Sequence, residues 1–196
     1  MKDIHQRLSE IKQRLTDKSF RENKGLGNEI GFHIFDYESE YEMLVRDYIF
    51  NLKKQIEREN DDIKIKEFDL YDIMLEVLNE RGYLEKNFKM EEKKGSEFVF
   101  NATEKTLRLT SQNEDNKIVQ YIIDRTESDD IVFLTGVGKV WPIIRSHTIL
   151  NNLHRVLDKV PVVLFFPGTY DGGSLMLFNE IKDDNYYRAF QLVDKY

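Results

Sequence analysis

The chain contains no cysteine, which excludes disulfides, thiolate zinc sites and cysteine nucleophiles. It has few breakers. The prolines are Pro142, Pro161 and Pro167, all after residue 141, so the preceding residues can run long helices. No run approaches the ~20 apolar residues that a membrane helix needs. The opening Met1-Lys2-Asp3-Ile4-His5 is polar and lacks the apolar core of a signal peptide. A cytoplasmic protein without a membrane association is the expectation. No grouping of His, Asp and Glu has metal-ligand spacing, so neither a metal nor another cofactor is expected.

What is there describes a globular chain. Hydrophobic residues make up 40% and charged residues 33% of the 196 positions, a balance that supports a core and argues against disorder. A chain of this size buries roughly 70% of its unfolded surface. Lys plus Arg is 29 and Asp plus Glu is 36, a net charge of −7. The excess is uneven. Residues 1–130 carry 22 basic and 30 acidic groups, whereas residues 131–196 carry 7 and 6. Autonomous nucleic-acid binding is disfavoured, because phosphate contacts need a basic face.

Periodicity then divides the chain. Ile4, Leu8, Ile11 and Leu15 form a narrow apolar stripe on a charged helix; the stripe suits either the side of the chain's own domain or a partner helix. Residues 19–29, with Gly25 and Gly27, read as a loop or hinge. Ile30 to Tyr37 reads as a strand buried on both faces. Tyr41, Leu44, Val45, Tyr48, Leu52 and Ile56 share one helix face. Ile63 to Phe68 alternates like a strand, and Leu70, Ile73, Met74, Val77 and Leu78 mark a helix that Gly82 stops. Residues 85–117 suggest helices with a polar outer face, followed by a helix over Ile118 to Arg125.

In the last third, Ile131 to Thr135 is a buried-type strand and Gly136-Val137-Gly138 a turn. Pro142 suits the first turn of a helix, with Ile149, Leu150, Leu153, Val156 and Leu157 on its buried side. Val162 to Phe166 predicts a strand ending at Pro167-Gly168. Gly172-Gly173 is a turn, and Leu175 to Phe178 and Arg188 to Val193 complete the strands. Repeated strand–helix units predict an α/β fold: a three-layer, Rossmann-like or P-loop-like open sheet of five to six mostly parallel strands. The expected organisation is an N-terminal amphipathic helix over residues 1–20 and a single α/β domain over 30–196.

Three groups of residues are candidates for function. The first is the strand–turn–helix around Gly136, Gly138 and Lys139, with Arg145 beyond it, a possible anion site built from backbone N–H groups. It departs from a Walker A loop, since Phe133 stands where the first glycine belongs and Val140 where the hydroxyl belongs. A dinucleotide fingerprint fails too, because Trp141 occupies its third glycine position. The second group lies at strand ends: Asp36, Asp69, Arg145, Ser146 and His147. Open α/β sheets bind ligands at this edge, yet an Asp before a helix is more simply an N-cap. His147 is a conceivable base without a triad around it, and His33, within a strand, reads as buried and hydrogen-bonded. The third group is Tyr186, Tyr187 and Arg188, a composition typical of interface anchors, which also suits base stacking or an ordinary strand entrance.

Several blocks together resemble a known family. They are Gly31-Phe-His-Ile-Phe-Asp36, Asp69-Leu-Tyr-Asp72, Phe133-Leu-Thr-Gly-Val-Gly138, Trp141-Pro-Ile-Ile-Arg-Ser-His147 with Leu150-Asn-Asn-Leu153, Pro161-Val-Val-Leu-Phe-Phe-Pro-Gly-Thr-Tyr-Asp171, Ser174-Leu-Met-Leu-Phe178 and Asn185-Tyr-Tyr-Arg-Ala-Phe190. In this order they are similar to the BrxB family. The resemblance implies a component of BREX, a bacteriophage exclusion system that methylates host DNA and blocks phage replication. It implies other BREX proteins as partners, a PglZ-like protein first, then the PglX-like methyltransferase and the BREX ATPase. It carries over no catalytic residues. A non-enzymatic accessory or assembly role is therefore expected. The alternative is a nucleotide- or phosphate-ligand-binding enzyme or sensor using Gly136-Val137-Gly138-Lys139.

Overall fold

A computed structural model describes residues 2–21, 31–59, 62–110, 115–154, 156–157, 160–183 and 189–196. In chain order the elements are α1 (Ile4–Thr16), α2 (Lys18–Arg21), β1 (Phe32–Tyr37), a 3-10 turn (Ser39–Tyr41), α3 (Glu42–Glu59), β2 (Lys64–Asp69), α4 (Leu70–Glu80), α5 (Leu84–Lys94) and α6 (Ser96–Leu107). They continue with α7 (Lys117–Asp124), β3 (Asp130–Thr135), α8 (Val137–Val140), α9 (Ser146–Leu153), β4 (Val162–Tyr170), β5 (Leu175–Leu177), β6 (Ile181–Asp183) and β7 (Phe190–Gln191). The described residues group into two compact units, one from residues 1–67, 127–134 and 158–196, the other from 68–126 and 135–157.

The first unit holds the sheet, whose main path runs β2-β3-β4-β1-β7. β4 is parallel to β1, from Phe32 beside Val162 to Tyr37 beside Pro167, and parallel to β3. β7 is parallel to β1. All residues of β1 and β3 are buried, as continuous apolar strands of a parallel sheet require. β2, at the edge, alternates in exposure. Phe35, Phe133, Val163 and Phe165 share one core cluster with Leu8, Ile11 and Leu15 of α1 and with Val45, Ile49, Leu52 and Ile56 of α3. The N-terminal stripe thus packs on its own sheet. Asp3 starts α1 with a capping box, its carboxylate accepting from Gln6 N while the Gln6 side chain accepts from Asp3 N, which satisfies two otherwise orphaned donors.

The second unit is helical. α4 meets α5, α6, α7 and α8, and α7 meets α9. Its buried apolar residues include Ile73, Met74 and Val77 of α4, Ile118, Val119 and Ile122 of α7, and Ile149, Leu150 and Leu153 of α9. Asn116 caps α7, its side-chain oxygen accepting from Ile118 N and Val119 N.

The α/β class, the mostly parallel open sheet and the N-terminal helix agree with the sequence reading. Details differ. Seven strands are present among the described residues, because Ile181–Asp183 adds a short antiparallel strand beside β5. β4 does not stop at Pro167-Gly168. It continues to Tyr170, where Gly168, Thr169 and Tyr170 pair antiparallel with Leu177, Met176 and Leu175. Gly168 permits that approach, since a Cβ there would collide with the Met176 carbonyl. Pro142 lies in a turn before α9 rather than in its first turn. The expected loop at 19–29 lies largely outside the described residues.

Candidate functional site

The glycine loop is built within the second unit. Gly136 adopts a left-handed conformation, φ 74°, and precedes the single turn of α8. Its missing Cβ is used: a Cβ would stand 2.8 Å from Asp69 Cγ. The Asp69 carboxylate caps α4, with Oδ1 accepting from Tyr71 N at 3.0 Å and Asp72 N at 3.3 Å. Its other oxygen, Oδ2, accepts from Lys139 Nζ. The ammonium group also lies 5.5 Å from the Tyr71 ring centroid. The chain's own carboxylate therefore sits over the glycine and pairs with the loop's cation. Gly138 lies inside α8, and Arg145 is exposed at the N-cap of α9. The structure joins Gly136 and Lys139 to Asp69, a residue with no apparent link to the loop in the sequence.

Asp36 is not a helix cap. It is fully buried at the end of β1 and accepts from four donors in the first unit. Arg7 Nη2 reaches Oδ1 at 3.0 Å and Gln191 Nε2 reaches it at 3.2 Å. Tyr170 N donates to Oδ2 at 2.9 Å, and Lys195 Nζ donates to the same atom. Arg7 also donates through Nη1 to the Asp36 carbonyl at 2.7 Å and lies over the Phe35 ring, 4.6 Å from its centroid. A carboxylate fully withdrawn from water is tolerated only when so paired. Periodicity did not single out Arg7, Lys195 or Gln191. A cation breaking the inner face of α1, Leu8 being its neighbour, is the signal available in retrospect.

His33 is buried as expected, stacked against Phe20 with centroids 4.6 Å apart and near Phe190 at 5.9 Å. The expected hydrogen bonding is not seen at Nδ1, which has no partner among the described residues. Burial, with a smaller contribution from the Arg14 charge, pushes its pKa down to about 4. Tyr37 donates to Glu42 Oε2 at 2.6 Å, and burial followed by the Glu42 charge holds its phenol well above the usual value. His147 lies half-buried in the first turn of α9. No group of three or more His, Asp and Glu among the described residues is arranged to hold a metal ion. No described helix is long and apolar enough to cross a membrane. Tyr186, Tyr187 and Arg188 lie outside the described residues.

Large apolar side chains are exposed elsewhere. Phe88 on α5 and Phe98 and Phe100 on α6 are 54%, 40% and 37% exposed, and α5 has no buried residue at all. The two helices pack together, with Asn87 Nδ2 donating to Thr103 Oγ1 at 3.0 Å.

A family model described as BREX protein BrxB matches residues 66–192. The chain belongs to the BrxB family. A BrxB protein of Bacillus cereus (strain H3081.97) is 65% identical over 195 residues, covering all of both chains. A BrxB protein of Escherichia coli O9:H4 (strain HS) is 35% identical over 192 residues, covering 97% of this chain and 92% of that one. No solved structure matches. The BrxB match takes in the glycine loop, Asp69 and the α5–α6 pair, whereas Arg7 and Asp36 precede it and Lys195 follows it.

Proposed function

We propose that this chain is a non-enzymatic accessory of a BREX phage-defence complex, supporting host DNA methylation and phage exclusion through contacts with other BREX proteins. A PglZ-like protein is the first partner, ahead of the PglX-like methyltransferase and the BREX ATPase. Membership of the BrxB family supplies the BREX setting. The observation that carries the accessory role is the Lys139–Asp69 pair. The loop with the outline of a phosphate cradle spends its cation on an internal carboxylate, and it lacks the hydroxyl that would ligate magnesium. The apolar stripe of α1 lies in the chain's own core, so partner contact falls to other surfaces. The phenylalanines of α5 and α6 are such a surface; the sequence also offers Tyr186, Tyr187 and Arg188 as interface anchors by composition.

Co-expression of the whole BREX operon with a tag on this chain tests the reading. Stoichiometric recovery of the PglZ-like protein at physiological salt is the expected result. Recovery of this chain alone would overturn it. Thermal melting with ATP, GTP, AMP and cyclic nucleotides tests the alternative. A saturable stabilisation removed by Lys139→Ala would favour the phosphate-ligand reading instead.

A further inference from the structure

α3 buries Val45, Ile49, Leu52 and Ile56 along one side. On the opposite side of the same helix stand Met43 and Phe50, 62% and 55% exposed. They are seven residues apart, about two helical turns, and so share one line along the helix. A single exposed apolar side chain is ordinary. Two of them aligned on the outward line of one helix form a seam that the core does not use.

The charges on this line are mixed. Asp47 precedes Phe50 by three residues and Lys54 follows it by four, spacings that keep all three on one face. Both charged residues are exposed. They stand about two turns from each other, too far to pair on their own helix. Lys54 instead lies over the Phe50 ring, its Nζ 4.0 Å from the centroid. Arg46 reaches back to the Met43 sulfur, 3.9 Å from Nη1. Glu57 and Arg58 continue both signs to the end of α3. Such a line selects no partner of uniform charge, but it matches its own inverted copy. Turning α3 end for end about Phe50 exchanges the places of Asp47 and Lys54. Two antiparallel copies therefore set each Asp47 against the other Lys54 and bring the two Phe50 rings together at the two-fold axis. A parallel pair would instead oppose like charges. A contact between identical patches closes at two subunits.

We propose that the outward line of α3, with Met43, Asp47, Phe50 and Lys54, docks a second copy of this chain as an antiparallel helix pair. The 18 residues of α3 span about 27 Å, and a strip about 10 Å wide covers roughly 270 Å2 per copy. Stable complexes bury about 800 Å2 per partner. The dimer is therefore weak, with a dissociation constant on the order of 100 µM. The inference does not rest on the accessory role.

Sedimentation equilibrium of the full chain, from about 10 µM to about 1 mM, tests the proposal. The average mass should rise from 23.4 kDa toward twice that value. Phe50→Glu should abolish the rise. Asp47→Lys and Lys54→Asp should each weaken association about tenfold, and the two together should restore it, because only a second copy carries the matching reversal. All three positions are exposed, and circular dichroism checks that the variants fold. A monomer at every concentration overturns the proposal, as does a dimer indifferent to Phe50→Glu. Failure of the double reversal to recover association overturns the antiparallel pairing. A monomeric chain whose recovery of the PglZ-like protein is lost with Phe50→Glu would give this face to a different protein and overturn the second copy as its occupant.

Discussion

Arg7 Nη2 stands 3.0 Å from Asp36 Oδ1, and Nη1 of the same guanidinium stands 2.7 Å from the Asp36 carbonyl oxygen. One side chain of α1 thus holds both the charge and the backbone at the end of β1. Removing it leaves a buried carboxylate that Lys195 only partly compensates. Arg7→Ala is expected to lower stability by about 3 kcal/mol, the range for breaking a buried pair. Urea unfolding measures this, and a loss below about 1 kcal/mol would place the pair among weak surface bridges. The paired replacement Arg7→Met with Asp36→Leu should recover part of the loss.

The glycine loop separates backbone from charge. Gly136→Ala combines a left-handed φ of 74° with a collision against Asp69 and should cost at least about 2 kcal/mol. Lys139→Ala removes a partly exposed pair and should cost no more than about 1 kcal/mol. Thermal melting of the two variants decides the point. Equal losses would contradict the assignment of Gly136 as the constrained position.

His33 sets a pH window. Its pKa is lowered from 6.5 to about 4 in the folded chain. Between these values the unfolded state binds the proton and the folded state does not. Stability is therefore fully present above pH 6.5 and declines as the pH falls toward 4. The difference amounts to about 3 kcal/mol at full extent. His33→Phe should flatten this part of the stability profile relative to the unaltered chain, in urea titrations at intervals from pH 7.5 to 4. Identical slopes would show that His33 is not shielded.

The partner surface on α5 and α6 is tested at its exposed side chains. Phe88→Ser with Phe98→Ser should leave the melting temperature within a few degrees, since exposed substitutions fall within about 0.5 kcal/mol. The same double variant should reduce recovery of the PglZ-like protein from cells. Tyr186→Ala with Arg188→Ala is the parallel test for the interface anchors read from the sequence. Retained complex with both doubly substituted chains would require contact through another face.

The amino-acid order by itself determined the main strands and helices, though not β6 or the continuation of β4 to Tyr170. Unbroken apolar runs marked β1, β3 and β4, and 3.6-residue spacing marked α1, α3, α4 and α7, because burial of one face imposes a period on the chain. Asp69 was legible as a cap because its donors, Tyr71 and Asp72, are its near neighbours. Asp36 looked the same at a strand end, and only the tertiary structure separated them. Its partners Arg7 and Gln191 are 29 and 155 residues away, and no local spacing encodes contacts across such distances. The glycine loop shows the same division. Its departures from a phosphate loop were written in Phe133 and Val140, but the carboxylate that occupies it was 67 residues upstream of Gly136 and reached it only through folding.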